Sequence, residues 1–114
     1  MNRALVTMAA CLLAFSVQGA GNAERGKAKA VQKINNQACA DCHGANGDTP
    51  KEKDQPILAS QYPDYIVKAL SDYKSGKRKN AVMNGVAKEL SKQDIEDLAA
   101  WFSHQKSEKL HFQR

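Results

Sequence analysis

The stretch Cys39-Ala40-Asp41-Cys42-His43 decides how this chain is read. Two thiols stand three residues apart, close to one turn of a helix, and an imidazole follows the second directly. Outside the reducing cytosol, such a pair can close a disulfide, bind a metal or anchor a cofactor. A structural zinc ion wants four ligands, and the other histidines, His104 and His111, lie far along the chain near a polar end. A thioredoxin-like thiol pair expects a βαβ setting, and no segment here alternates like a strand.

The histidine decides among these chemistries. In a c-type haem site each thiol adds across one vinyl group of the porphyrin, and one helical turn sets the two sulfurs at the vinyl spacing. His43 then stands under the iron as its proximal ligand. No second Cys-x-x-Cys-His occurs, so one haem per chain is expected.

Upstream of the motif, residues 1–20 read as a signal peptide rather than as part of the fold. Asn2-Arg3 gives a short positive start, residues 4–17 carry no charge, and Gln18-Gly19-Ala20 supplies small residues for cleavage. Cuts after Gly19 or Ala23 would also serve. The apolar run is short for a transmembrane span. Ala9-Ala10 precede Cys11 as in a lipid-attachment site, but Leu12-Leu13-Ala14-Phe15 continue the apolar stretch, so Cys11 is ordinary signal filler. A cut after Ala20 leaves Cys39 and Cys42 as the only cysteines, removes Arg3 from a net charge of +5, and makes residues 21–114 one exported, periplasmic domain.

The mature chain reads as all-α. Ala23, Ala30, Val31 and Ile34 recur at helical spacing and predict a first helix over residues 23–35, where Gly26 hints at a close helix crossing. Gly44-Ala45-Asn46-Gly47-Asp48-Thr49-Pro50 opens a loop that ends at Pro56. A second helix is expected from Pro63 to Ser75, with Tyr65, Ile66, Ala69, Leu70 and Tyr73 on one face and Gly76 as its stop. In the last helix Ser91-Lys92-Gln93-Asp94 forms a capping box and Leu90 staples against Ile95. Ile95, Leu98, Ala99 and Phe102 make its buried face, Trp101 lies beside that stripe, and the polar tail after Ser103 is expected to fray. With aromatics at 6% and charged residues at 25%, the side chains alone make a thin core, so a buried cofactor is needed as a staple and the apoprotein should fold poorly.

The iron needs a sixth ligand. Met83 is the only methionine beyond the signal and is expected in a loop, Ala81-Val82-Met83-Asn84-Gly85, ahead of the capped helix. Its thioether is soft and favours ferrous iron, so a His/Met pair suits a reversible single-electron carrier. The alternatives are that Met83 is core filler, or that His104 or His111 takes the iron instead. With Met83 bound, no position remains for a substrate, and no acid–base constellation suggests an enzyme. A haem enzyme or gas binder with an open distal site is the competing class.

On these residues the chain resembles the class I c-type cytochromes, the small bacterial monohaem ones in particular. The shared pattern runs through Gly26-Lys27-Ala28, Cys39-Ala40-Asp41-Cys42-His43-Gly44, Pro56-Ile57-Leu58-Ala59, Met83, and Leu90-Ser91 through Leu98-Ala99-Ala100-Trp101-Phe102. The resemblance implies class I cytochrome c-like helices wrapped around one covalently attached haem, electron shuttling between larger redox partners, and no enzymatic activity. It also implies that the Pro56 carbonyl receives the proximal imidazole and that Gly26 and Trp101 form the crossing of the first and last helices. Ser60 departs from the pattern, because many relatives carry glycine there. Lys51, Lys53, Lys74, Lys77, Arg78 and Lys79 could steer an acidic protein partner or a larger oxidoreductase to which the chain belongs as a subunit. The basic run lacks interleaved aromatics, which argues against nucleic acid, and no small-molecule substrate is expected.

Overall fold

The computed structural model describes residues 21–107 and 109. The expected signal peptide, Cys11 and His111 lie outside the described residues. The element order is α1 (Ala23–Val31), α2 (Cys39–His43), α3 (Pro63–Ser75), α4 (Ala81–Lys88) and α5 (Lys92–His104). Among the described residues the only β pairing is an isolated bridge between Ile34 and Gln37. No described helix is long and apolar enough to cross a membrane.

Helices α1 and α5 cross at the centre, and the first contact is made by backbone. A Cβ on Gly26 would sit 2.0 Å from the Asp97 carbonyl oxygen and 2.8 Å from the Trp101 Cβ, so only glycine allows this approach. Asp97 clamps the same junction from α5. Its carboxylate accepts from the Asn22 amide at 2.7 Å, Arg25 Nε at 2.8 Å, Arg25 Nη2 at 3.0 Å and Gln93 Nε2 at 2.9 Å. The Arg25 guanidinium, foremost, brings the Asp97 carboxyl down to about 2. The Lys27 ammonium covers the Trp101 ring, 5.5 Å from its centroid.

The core joins α1, α3 and α5 through Ala30, Ile66, Leu90, Ile95, Leu98, Ala99 and Phe102. The capping box closes as expected, with Ser91 Oγ accepting the Asp94 amide at 3.0 Å and the Asp94 carboxylate accepting the Ser91 amide at 2.9 Å. Leu90 and Ile95 both lie in that core. Gly76 enters the left-handed region at φ 81° and stops α3.

Four expectations need correction. Helix α1 ends at Val31, not Asn35, because Asn35 and Asn36 turn left-handed at φ 51° and 65° inside the Ile34–Gln37 bridge. The segment around Met83 is helix α4, not a loop: Asn80 caps it by accepting the Met83 amide at 3.0 Å. On α3, Ile66 is buried but Tyr65 is exposed, since its hydroxyl faces the Arg78 guanidinium at 3.5 Å. The tail beyond Ser103 does not fray at once. The Ser60 hydroxyl donates to the Gln105 carbonyl at 2.7 Å and accepts the Ser107 amide at 3.1 Å, and Lys109 Nζ reaches the Asp48 carbonyl at 3.0 Å. Ser60 itself adopts φ 64°, which accounts for a position that suits glycine.

Candidate haem site

The Cys39–His43 segment folds as the single turn α2, and Asp41 organises it from within. Its carboxylate accepts the Ala38 amide at 2.9 Å, which caps the turn, and also pairs with Lys33. The Lys33 ammonium, foremost, lowers the Asp41 carboxyl below the usual range. Cys39 and Cys42 are unpaired thiols on this turn, both half-buried. Burial pushes the Cys39 thiol, where no haem is attached, up to about 11.

His43 closes the turn and is 5% exposed. Its Nδ1 lies 2.8 Å from the Pro56 carbonyl oxygen. A carbonyl only accepts, so Nδ1 carries the proton and Nε2 keeps a lone pair. Burial lowers the imidazole pKa, and the Pro56 bond only partly offsets that. The result is a neutral, oriented ring with one nitrogen available to a metal.

The loop that carries Pro56 is laced to the motif by backbone. The Lys51 amide donates to the Cys42 carbonyl at 2.9 Å, and the Leu58 and Ala59 amides donate to the Gly47 carbonyl at 2.8 and 3.1 Å. Sequence reasoning found Pro56 through a family pattern; these turn contacts carried no separate signal.

Met83 lies half-buried in the first turn of α4. Asn35 and Asn84, which the sequence reading passed over as site residues, brace that helix. Asn35 Nδ2 donates to the Gly85 carbonyl at 3.0 Å, linking α4 to the turn that precedes the motif. Asn84 Nδ2 donates to the carbonyls of Tyr73 and Arg78, each at 2.8 Å. The asparagine-rich string around Met83 was the available signal, and it reads first as turn-forming composition. His104 stands apart on exposed surface at the end of α5, with its Nδ1–H on the Ala100 carbonyl at 2.6 Å.

Two unpaired thiols on one turn, followed by a buried neutral imidazole inside an all-α shell, define a c-type cytochrome domain. The cytochrome c family model matches residues 23–106, and the chain belongs to that family. It is 40% identical over 107 residues to cytochrome c4 of Pseudomonas aeruginosa, a match covering 93% of this chain and 50% of that protein. The crystal structure of reduced recombinant cytochrome c4 from Pseudomonas stutzeri superposes with a TM-score of 0.67 at 38% identity, covering 77% of this chain and 47% of that one. A thiosulfate dehydrogenase electron acceptor from Thiomonas intermedia is 38% identical over 66 residues, covering 58% of this chain and 30% of that protein. The chain spans about half the length of the cytochrome c4 relatives. The all-α class I cytochrome c fold follows, and the cofactor is covalently bound haem c with its iron. The donor set suits that group: paired soft sulfurs one turn apart and an imidazole fixed in its metal-binding tautomer.

Proposed function

We propose that this chain is an exported, periplasmic single-electron carrier in which one haem c is held by Cys39, Cys42, His43 and Met83. The observation that carries the reading is the His43–Pro56 hydrogen bond of 2.8 Å on a buried ring directly after Cys42. Residues 1–20 act as the signal peptide and residues 21–114 as the cytochrome domain.

The residues divide the work. Cys39 and Cys42 form thioethers that fix the porphyrin in place. His43 would ligate through Nε2, and the Pro56 carbonyl would fix the orientation of its ring and raise its basicity. Met83 would supply a second, thioether ligand, a soft donor that would favour the ferrous state and raise the potential. The bound haem supplies a ferric/ferrous couple for one electron. If His43 and Met83 both held the iron, no position would remain for a substrate, and the domain would act as a carrier rather than an enzyme.

Partners in this reading are redox proteins, not nucleic acids or small-molecule substrates. The relative named as a thiosulfate dehydrogenase electron acceptor supports a role beside a larger oxidoreductase. The docking charge is narrower than the count of basic residues suggests. Lys74 is exposed, but its ammonium is engaged, donating to the Lys88 carbonyl at 3.1 Å and to the Leu90 carbonyl at the end of α4. Arg78 stacks on the Tyr73 ring at 4.8 Å, and Lys77 and Lys79 stand beside it on the exposed 76–80 loop. That trio is the surface we assign to an acidic partner.

The test is the absorption spectrum of the purified holoprotein, oxidised and reduced. A weak far-red band of ferric iron bound by thioether is expected, and it should vanish in Met83→Ala. Haem without that band would refute Met83 as the ligand and favour an open distal site; absence of covalent haem would refute the whole assignment.

A further inference from the structure

Helix α4 is only eight residues long, and a helix of that length is not stable by itself in water. Met83 occupies its first turn, where fraying begins. The position of this side chain is therefore set by whatever clamps the N-terminal end of α4.

The clamp is a pair of asparagines. The Asn80 side chain accepts the Met83 amide at 3.0 Å, and the Asn84 Oδ1 accepts the Asn80 amide at 2.8 Å. The Asn84 Nδ2 then donates to the Tyr73 carbonyl in the last turns of α3 and to the Arg78 carbonyl in the basic loop, each at 2.8 Å. One amide thus joins α3, the 76–80 loop and the start of α4. Its orientation is fixed by chemistry, since two carbonyls need the NH2 group and one amide N–H needs the oxygen. A carboxylate would set an oxygen against two carbonyls, and a leucine of similar size would satisfy none of the three groups.

We propose that Asn84 is a positioning residue that keeps Met83 seated on the iron against competing ligands. The inference rests on the reading of Met83 as the distal ligand. When the clamp is lost, the first turn of α4 opens more often, and the fraction of molecules with the thioether off the iron rises. An exogenous ligand binds only that fraction, so its apparent affinity reports the clamp directly.

The experiment titrates imidazole into ferric holoprotein, following the far-red band and the main haem absorption, alongside a thermal melt. Asn84→Leu should bind imidazole about tenfold more tightly, the scale of losing one or two such hydrogen bonds. Asn84→Ser, which keeps a single donor and acceptor, should fall between and serves if the leucine variant does not fold. Ser91→Ala removes a comparable cap from α5 and should lower the melting temperature with no change in imidazole affinity. Asn84 variants that melt lower but bind imidazole like the parent, while Met83→Ala binds it far more tightly, would overturn the inference alone. Met83→Ala with parental affinity would overturn the ligand reading and the inference together.

Discussion

Substituting Gly26 by alanine tests the architecture at its tightest point. The added Cβ would lie 2.0 Å from the Asp97 carbonyl oxygen, 2.6 Å from its carbonyl carbon and 2.8 Å from the Trp101 Cβ. Two of those atoms are backbone, so no side chain can swing away, and an ordinary contact needs α5 to retreat by more than 1 Å (roughly, from the ~3.4 Å that close-packed atoms require). That retreat also stretches the four hydrogen bonds that Asp97 makes to Asn22, Arg25 and Gln93. Overpacking of this kind costs about 1–3 kcal/mol, and weakening the Asp97 cluster adds about 1–2 kcal/mol. Alanine returns at most about 1 kcal/mol of helix propensity. The net loss is about 1–4 kcal/mol, which for a domain of this size lowers the melting temperature by roughly 5–30 °C. The assay is thermal melting of the holoprotein followed by far-ultraviolet dichroism. A Gly26→Ala protein melting within 3 °C of the parent (roughly, below the effect of ~1 kcal/mol) would refute the close-crossing argument.

Three further outcomes are expected. Asp97 is lowered from 3.8 to about 2 in the folded protein, foremost by Arg25, so its contribution is present above the ordinary value and drains away as pH falls from 3.8 toward 2. Melts across that window should show the parent losing stability more steeply than Asp97→Asn; parallel curves would contradict the assignment. Among the described residues the largest fully buried side chains are Phe102, Leu90 and Leu98, a small core, so the Cys39→Ala/Cys42→Ala protein, which lacks covalent haem, should lose most of its helical dichroism; a native spectrum with a cooperative melt would show the side chains suffice. Charge reversal at Lys77 and Lys79 should slow oxidation by hexacyanoferrate, an anionic probe, by about tenfold at low salt and flatten its salt dependence, whereas unchanged rates at every ionic strength would remove the basic loop from the docking surface.

The parts legible in the chain were those written in local spacing. The one-turn thiol pair with its following histidine, the capping box at Ser91 and Asp94, the apolar stripe of α5 and the proline and glycine that bound α3 each report chemistry within a few residues. The misreadings fell where a local signal had two meanings. Asn35-Asn36 could continue a helix or turn left-handed, and pairing of Ile34 with Gln37 settled it. The asparagines around Met83 read as loop composition, yet Asn80 caps a helix and Asn84 braces it. Lys74 read as surface charge, but the carbonyls at the end of α4 recruit it.

By itself, then, the sequence determined the all-α class and the covalent haem chemistry, and it proposes the two thiols and the imidazole that would hold the haem, because attachment to one porphyrin is a constraint on neighbouring residues. Only the tertiary structure decided that Gly26 meets the backbone of Asp97, that Pro56 receives His43 Nδ1, and that α4 hangs from Asn84 and Asn35. Those contacts join groups from distant parts of the chain, and several use backbone carbonyls, which every residue carries and no side-chain pattern can announce.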